Sequence, residues 1–228
     1  MSGPVLVTGT DTGVGKTIVT AAIAAAAGLA GLRVAVVKPG QTGGESDVDT
    51  VRRLAGPAVS RTLGAYPDPL APWAAARVSG LPPLVLDDVV GTVRGLDADL
   101  VLVEGAGGLL VPLGRGWTAA DLAVALGAPA VVVARAGLGT LNHTALTLEA
   151  LARRGIAARV VIGAWPATPE LVHRTNLMDL PGELTGAVPE HVGDWPGERF
   201  RAAAPGWLVP GLYGRFDAAA FVRDAGVR

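Results

Sequence analysis

Pro4–Thr17, which reads PVLVTGTDTGVGKT, decides the fold of this chain. Pro4–Val7 is a short apolar run and predicts a buried strand. Gly9–Gly15 is rich in glycine and threonine, and from Lys16 onward apolar residues recur at helical spacing as far as Leu29. Strand, glycine loop, Lys-Thr and helix, in that order, are typical of a phosphate loop, whose backbone N–H groups surround a phosphate at a helix N-terminus.

Two side chains at the end of this loop carry the expected chemistry. Lys16 is placed to reach the β- and γ-phosphates of a nucleotide, and the Thr17 hydroxyl to bind Mg²⁺. The usual motif has four residues between its first glycine and Gly-Lys, whereas here five residues separate Gly9 from Gly15. The alternative is an ordinary glycine-rich turn, but the flanking strand and helix favour nucleotide binding.

The chain contains nineteen Lys and Arg residues, and only Lys16 and Lys38 are lysines. Lysine is a compact charge on a flexible stem, whereas arginine is a wide, rigid fork. We therefore interpret the two lysines as groups in narrow sites that each bind one anionic oxygen. The alternative is a drift in base composition that spared two positions by chance.

Length and composition predict a single soluble α/β domain across residues 1–228. The net charge of −1 provides no electrostatic reason to expect nucleic acid or an anionic membrane as a partner. The absence of cysteine excludes disulfides, thiol nucleophiles and thiolate metal sites. No apolar run approaches the roughly 20 residues that span a bilayer, and no signal-peptide pattern opens the chain, so we expect a cytoplasmic enzyme.

Strand-like and helix-like segments alternate along the chain. Most strand candidates are continuous Val, Leu and Ile runs, which indicates burial on both faces, as in a parallel sheet. We predict a doubly wound, mostly parallel α/β sheet with helices on both faces, of the P-loop NTPase type. The predicted strands are Pro4–Thr8, Arg33–Lys38, Leu100–Glu104, Pro129–Ala134, Arg159–Gly163 and Leu184–Val188. The predicted helices are Lys16–Leu29, Asp47–Ala55, Pro72–Val78, Leu84–Val93, Ala119–Leu126, Leu141–Arg153, Pro169–Met178 and Asp217–Arg223. Residues 190–215, dense in Gly, Pro, Trp and Arg, predict irregular surface structure, as a lid or a packed tail.

The carboxyl ends of parallel strands share one edge of a sheet, where ligands bind. Lys38 ends the second predicted strand, and Pro39 favours an extended backbone there. Glu104 ends the third and is followed by Gly105–Gly108, which contains three glycines. A carboxylate beside a phosphate loop predicts a Mg²⁺ ligand, bound directly or through water. The alternative is an ordinary N-cap or a solvated loop carboxylate.

Ser46 and Asp49 have the spacing of a helix-capping box. Asp47 then lies in the first helical turn, where a carboxylate suits the helix dipole. Because Asp47 is also near Lys38 in sequence, it is equally a candidate second carboxylate for Mg²⁺, and both interpretations stay open.

Four blocks of this chain resemble the dethiobiotin synthetase family. They are the phosphate loop with its extra residue and the stretches 37–43, 103–108 and 137–144. The resemblance implies an ATP-dependent cyclo-ligase of biotin biosynthesis that uses Mg²⁺, a nucleoside triphosphate and CO₂ to close the ureido ring of dethiobiotin on 7,8-diaminononanoate. It implies that one amine forms a carbamate, that a phosphoryl transfer gives a carbamic–phosphoric anhydride, and that the second amine then expels phosphate.

The resemblance also implies the roles of individual residues. The catalytic residues are Lys16, which holds the β- and γ-phosphates, Lys38, which holds the carbamate and the transferring oxygens, and Thr12, at the reacting end of the substrate. The metal ligands are Thr17, Asp47 and Glu104. The nucleotide-binding residues are Gly13, Val14, Gly15, Lys16, Thr17, Ile18, Asp47, Glu104, Gly105, Ala106, Gly107, Ala164, Trp165, Pro189, Glu190 and His191. The substrate-binding residues are Thr12, Lys38, Thr42, Gly107, Thr140, Leu141 and Asn142.

The segment Thr140–Thr144 opens a predicted helix, with Thr140 or Asn142 as its expected cap, and the free N–H groups there suit a carboxylate. In similar enzymes this segment reaches across a homodimer interface to the tail carboxylate of the substrate, so we expect a homodimer. A histidine in a cap region is more often hydrogen-bonded than catalytic, and we interpret His143 in that way.

The chain departs from the family at the end of the fifth predicted strand. Many members carry Asn there to bind the adenine ring, whereas this chain has Ala164, which offers no side-chain donor. Base recognition must then depend on backbone groups, on stacking against Trp165, or on the loop Pro189–His191. We therefore expect relaxed selection among nucleoside triphosphates.

Two other classes share this fold. Regulatory ATPases of the partitioning or division-site type usually carry an extra lysine early in the phosphate loop, where this chain has Thr10 and Asp11. They also tend to have a basic surface or a membrane-seeking tail, whereas Phe216–Asp224 is short and nearly charge-balanced. Amidoligases that act on cobyrinate-like substrates generally need a glutaminase domain, for which this chain has neither a cysteine nor room.

Overall fold

The strands form two sheets in the computed structural model, which describes residues 2–225. In chain order the strands are β1 (Gly3–Gly9), β2 (Val34–Thr42), β3 (Val59–Tyr66), β4 (Leu100–Gly108), β5 (Pro112–Gly114), β6 (Trp117–Thr118), β7 (Ala130–Ala134), β8 (Ala158–Trp165) and β9 (Leu184–Pro189). Seven of these described strands form a parallel sheet in the order β3-β2-β4-β1-β7-β8-β9. The short strands β5 and β6 pair antiparallel.

Helices cover both faces of the large sheet. The α-helices are α1 (Lys16–Leu29), α2 (Asp47–Ala55), α3 (Pro72–Ser79), α4 (Leu86–Arg94), α5 (Ala119–Leu126), α6 (Thr140–Ala152), α7 (Leu171–Met178), α8 (Gly197–Ala203) and α9 (Ala218–Ala225). In β1, Val5 and Val7 pack in the cluster that contains α1 and α2, and Leu6 packs in the opposite cluster with α4 and α5. Successive side chains of a strand point to opposite faces, so burial on both faces explains the continuous apolar runs. The predicted doubly wound α/β fold is confirmed.

Two strands continue beyond their predicted ends. β2 runs to Thr42 and β4 to Gly108, so Lys38 and Glu104 lie inside their strands rather than at the ends. Edge strand β3, paired with β2, was not predicted. Its sequence, VSRTLGAY, is partly exposed and lacks the apolar run that identified the other strands.

Residues 190–215 are more regular and more deeply buried than the predicted irregular surface structure. The segment contains α8 and 3₁₀ turns at Val192–Asp194, Ala204–Trp207 and Pro210–Leu212. Phe200, Leu208 and Leu212 are fully buried and belong to the same apolar cluster as α1 and α2. Of the two alternatives, the packed tail is the one found.

No helix within residues 2–225 combines the length and the apolar composition that crossing a bilayer requires.

Candidate active site

The loop between β1 and α1 leaves the N-terminus of α1 open. Gly15 precedes the helix with a φ of 95°, in the left-handed region, and no side chain caps the helix. The N–H groups of the first turn therefore have no side-chain acceptor, and they lie at the positive end of the helix dipole. This is the arrangement that binds phosphate.

The phosphate loop packs directly against the backbone of β8. A Cβ atom added to Gly163 would lie 1.9 Å from the carbonyl oxygen of Val14, and one added to Gly15 would lie 2.7 Å from the carbonyl oxygen of Gly163. These distances exclude a side chain at either position. Gly163 was not among the predicted site residues, and its only signal in the sequence is a glycine within an apolar strand pattern.

Lys16 is held at the back of the loop. Its Nζ donates to the carbonyl oxygen of Asp11 at 2.9 Å, and the residue is 8% exposed. Burial, followed by repulsion from Lys38, lowers the pKa of Lys16 to about 8. An anionic phosphate beside the ammonium would oppose both effects and favour the protonated form.

Lys38 lies between two carboxylates. Its Nζ is 2.6 Å from Asp47 Oδ2, 3.0 Å from Glu104 Oε1 and 2.9 Å from the carbonyl oxygen of Gly105. Burial favours the neutral amine, but attraction to Glu104 and Asp47 outweighs it and raises the pKa of Lys38 above its ordinary value. The buried amine is therefore a permanent cation at neutral pH.

The predicted metal ligands converge. Thr17 Oγ1 donates to Glu104 Oε1 at 3.0 Å, and Lys38 links Glu104 to Asp47. One hydroxyl and two carboxylates are hard oxygen donors of the kind that Mg²⁺ prefers, so this donor set fits the ion. Residues 2–225 contain no group of three or more His, Cys, Asp or Glu side chains arranged to hold a metal ion. Phosphate oxygens and water would have to complete the coordination.

These groups share one open cleft of about 480 Å³. The predicted residues that line it are Thr12, Gly13, Gly15, Lys16, Thr17, Ile18, Lys38, Thr42, Asp47, Glu104, Ala106 and Gly107. Gln41, which was not predicted, also lines the cleft, and its Oε1 accepts the backbone N–H of Asp47 at 3.1 Å. The predicted cap Ser46 accepts the N–H of Asp49 at 3.2 Å, which begins α2 and brings Asp47 to Lys38. Asp47 thus lies in the first turn of α2 and beside Lys38, and its role as a metal ligand stays a prediction.

The residues proposed to bind the base do not line this cleft. Ala164 is exposed, and the ring of Trp165 packs edge-on against Phe221 with centroids 5.2 Å apart. Glu190 Oε1 accepts the backbone N–H of Ala167 at 2.8 Å, and the His191 side chain is 82% exposed. Pro189 ends β9 nearby. Their nucleotide contacts stay predictions.

Thr140, Leu141 and Asn142 are also absent from the lining of the cleft, as are Val14 and Gly105. Helix α6 begins at Thr140, and Gly139 precedes it with a φ of 90° and no side-chain cap, so neither Thr140 nor Asn142 is the cap. The N–H groups at the start of α6 consequently lack a side-chain acceptor.

Comparison with known proteins identifies the family. A family model described as an AAA domain matches residues 4–191. The ATP-dependent dethiobiotin synthetase BioD of Rhodococcus jostii is 58% identical, over 89% of this chain and 93% of that protein. The chain belongs to the dethiobiotin synthetase family. The BioD protein of Streptomyces avermitilis is 52% identical, over 95% of this chain and 96% of that protein. The predicted class of ATP-dependent cyclo-ligase is confirmed by these relatives.

Solved structures support the fold. The septum site-determining protein MinD of Pyrococcus horikoshii, complexed with Mg-ADP, matches with a TM-score of 0.55 at 17% identity, over 93% of this chain and 100% of that chain. At that identity the likeness shows the P-loop NTPase fold alone. The division-site alternative thus shares the architecture, whereas sequence identity places this chain among the dethiobiotin synthetases.

We predict that Gly163→Ala weakens ATP binding at least about tenfold, which corresponds to ~1.4 kcal/mol. The added Cβ displaces the Val14 carbonyl and with it the phosphate loop. Isothermal titration with Mg-ATP measures the effect. The matched control is Gly28→Ala in α1, where an added Cβ meets no atom within 4 Å. Equal affinities for the two variants would show that the β8 contact does not shape the loop.

Proposed function

We propose that this chain is a dethiobiotin synthetase, which closes a ureido ring on 7,8-diaminononanoate with CO₂ and a nucleoside triphosphate in biotin biosynthesis. The observation that carries the proposal is the presence of two ammonium groups, Lys16 and Lys38, in one cleft with Thr17, Asp47 and Glu104. Lys16 lies at an open helix N-terminus, and Lys38 lies on β2.

In the proposed reaction, an amine of the substrate adds to CO₂ and loses a proton, which gives a carbamate. A carbamate oxygen attacks the γ-phosphorus, the nucleoside diphosphate leaves, and a carbamic–phosphoric anhydride remains. The second amine attacks the carbonyl carbon, phosphate leaves with its bonding electrons, and the ring nitrogen loses a proton. Phosphoryl transfer leaves the protein little covalent work, so positioned positive charge supplies most of the catalysis.

The charge distribution of the cleft supports separate roles for the lysines. Lys16 would hold the β- and γ-phosphates, and Lys38 the carbamate and the oxygens in transfer. Mg²⁺ held by Thr17, Asp47 and Glu104 would neutralise phosphate charge. Since Lys38 pairs with the same two carboxylates, sharing them with Mg²⁺ would free its ammonium for an anionic oxygen. Thr12, Thr42 and Gly107 line the same cleft and would contact the substrate.

We further propose a cytoplasmic homodimer in which Thr140, Leu141 and Asn142 act from the second subunit. Two observations support this: these residues do not line the cleft of their own chain, and the open N-terminus of α6 suits a substrate carboxylate. Leu138 and Leu146, beside and within α6, are 84% and 57% exposed, as an apolar interface requires.

We predict that phosphate release from ATP requires both the diamine and bicarbonate. Neither the carbamate nor its phosphorylated form can arise when one is missing. A phosphate-release assay with each component omitted in turn, and mass spectrometry of the product, tests this. Hydrolysis that is indifferent to the diamine would instead favour a nucleotide-driven switch of the division-site type.

We predict that Lys38→Ala lowers turnover by about 10²–10³-fold, since it removes one preorganised charge from the transition state. Nucleotide affinity, measured by titration, should change by only a few-fold because Lys16 and the helix N-terminus remain, and binding also shows that the variant folds. Lys38→Arg is the matched variant. It keeps the charge, but if the site is narrow, as we interpret it, the wider guanidinium should lower turnover as well. Normal turnover in Lys38→Ala would refute the role.

We predict that ATP, CTP and GTP support turnover with kcat/KM values within about tenfold of each other, since Ala164 offers no donor to a base and one lost hydrogen bond is worth roughly 1 kcal/mol. Ala164→Asn should shift the preference toward ATP. Phosphate release with each triphosphate measures both effects. Strict ATP selectivity in the unaltered protein would contradict relaxed recognition.

A further inference from the structure

We propose that Arg135 is a positioning residue of the phosphate loop and that it acts through Asp11. Arg135 follows β7 directly, and β7 lies next to β1 in the sheet. Its Nη2 is 2.6 Å from Asp11 Oδ2. Neither partner was predicted to have this role, because nothing in the spacing of residues 11 and 135 predicts an ion pair.

Asp11 connects the ion pair to two predicted catalytic residues. Its Oδ1 accepts the backbone N–H of Thr12 at 2.7 Å, and its carbonyl oxygen accepts Lys16 Nζ at 2.9 Å. The N–H of Thr12, with further contributions from Arg135 and His143, lowers the pKa of the Asp11 carboxyl. Asp11 is thus an anion whose carboxylate contacts Thr12 and whose backbone contacts Lys16.

Arg135 extends from a rigid base. Asn176 of α7, which is 7% exposed, donates its Nδ2 hydrogens to the carbonyl oxygens of Ala136 and Gly137, each at 3.0 Å. The first turn of the phosphate loop is tied to the same strand, because the N–H of Thr10 donates to the carbonyl oxygen of Val133 at 3.0 Å. Strand β7 therefore holds the loop at its start through the backbone and at Asp11 through Arg135.

The pair matters for position and charge rather than for stability. Its side chains are 41% and 50% exposed, and exposed ion pairs contribute little to folding. The Asp11 carboxylate, however, lies on the loop that receives a triphosphate. Without Arg135 it would be an uncompensated anion near an anionic ligand, held only by its hydrogen bond from the Thr12 N–H. Small displacements of groups that orient a reaction have large effects on rate.

A double-mutant cycle tests the proposal, with Arg135→Ala, Asp11→Asn and the two combined. Mg-ATP affinity is measured by titration and kcat/KM by diamine-dependent phosphate release. Arg135→Ala should weaken each by about threefold to tenfold. Adding it to Asp11→Asn should cost less than about twofold more, since the anion that Arg135 neutralises is gone. Arg135→Lys should recover most of the loss.

The control is Arg153→Ala, which removes an exposed ion pair to Glu149 on α6 and should leave both quantities unchanged. Additive effects of the two substitutions, or a change confined to the melting temperature, would overturn the proposal. The kinetic part rests on the proposed function, but the affinity part does not. If the unaltered protein shows no diamine-dependent turnover, the proposed function fails, and the ATP affinities of the same proteins still decide the role of Arg135.

Discussion

The buried cation of Lys38 between Asp47 and Glu104 constrains the rest of the site. A charge removed from water is costly unless it is paired and hydrogen-bonded, and this one is paired by carboxylates from α2 and β4. The pairing requires β2 and β4 to be neighbours in the sheet. It also requires α2 to begin soon after β2, and the hydrogen bonds of Gln41 and Ser46 fix the start of that helix. The three ionised groups together carry one net negative charge, which favours a further cation beside them.

Most of the residues that line the cleft were predictable because parallel strands bring their carboxyl halves to one edge of the sheet. That rule alone placed Lys38 and Glu104 beside the phosphate loop, although both strands continue past these residues. The contact of Gly163 with Val14 joins two backbones, so the glycine shows only that some group approaches closely there and does not identify that group. The partner of Asp11 was equally hidden, since an exposed arginine has many possible partners.

The differences between the predicted and the observed fold have physical causes of the same kind. β3 is an edge strand with one free side, so it needs no continuous apolar run. The segment that contains α8 is built from turns too short to show a helical period, and its Gly and Pro residues suggested a loop. Phe200, Leu208 and Leu212 order it by packing on α1 and α2, which is a tertiary effect that local propensity does not reveal.

The structure concentrates its polar groups at the phosphate end of the cleft. β8 supports the phosphate loop by backbone contact at Gly163, and β7 supports it through Arg135. Lys38 comes from β2 and Glu104 from β4. Outside the lining of the cleft, Ala164 offers no side-chain hydrogen bond and Trp165 packs on Phe221. Because every nucleoside triphosphate presents the same phosphates, the proposed binding mode would hold the transferring group more firmly than the base. Phosphoryl transfer depends on where positive charge is placed, so it requires rigid protein groups around the phosphates. It makes no comparable demand on the groups around the base.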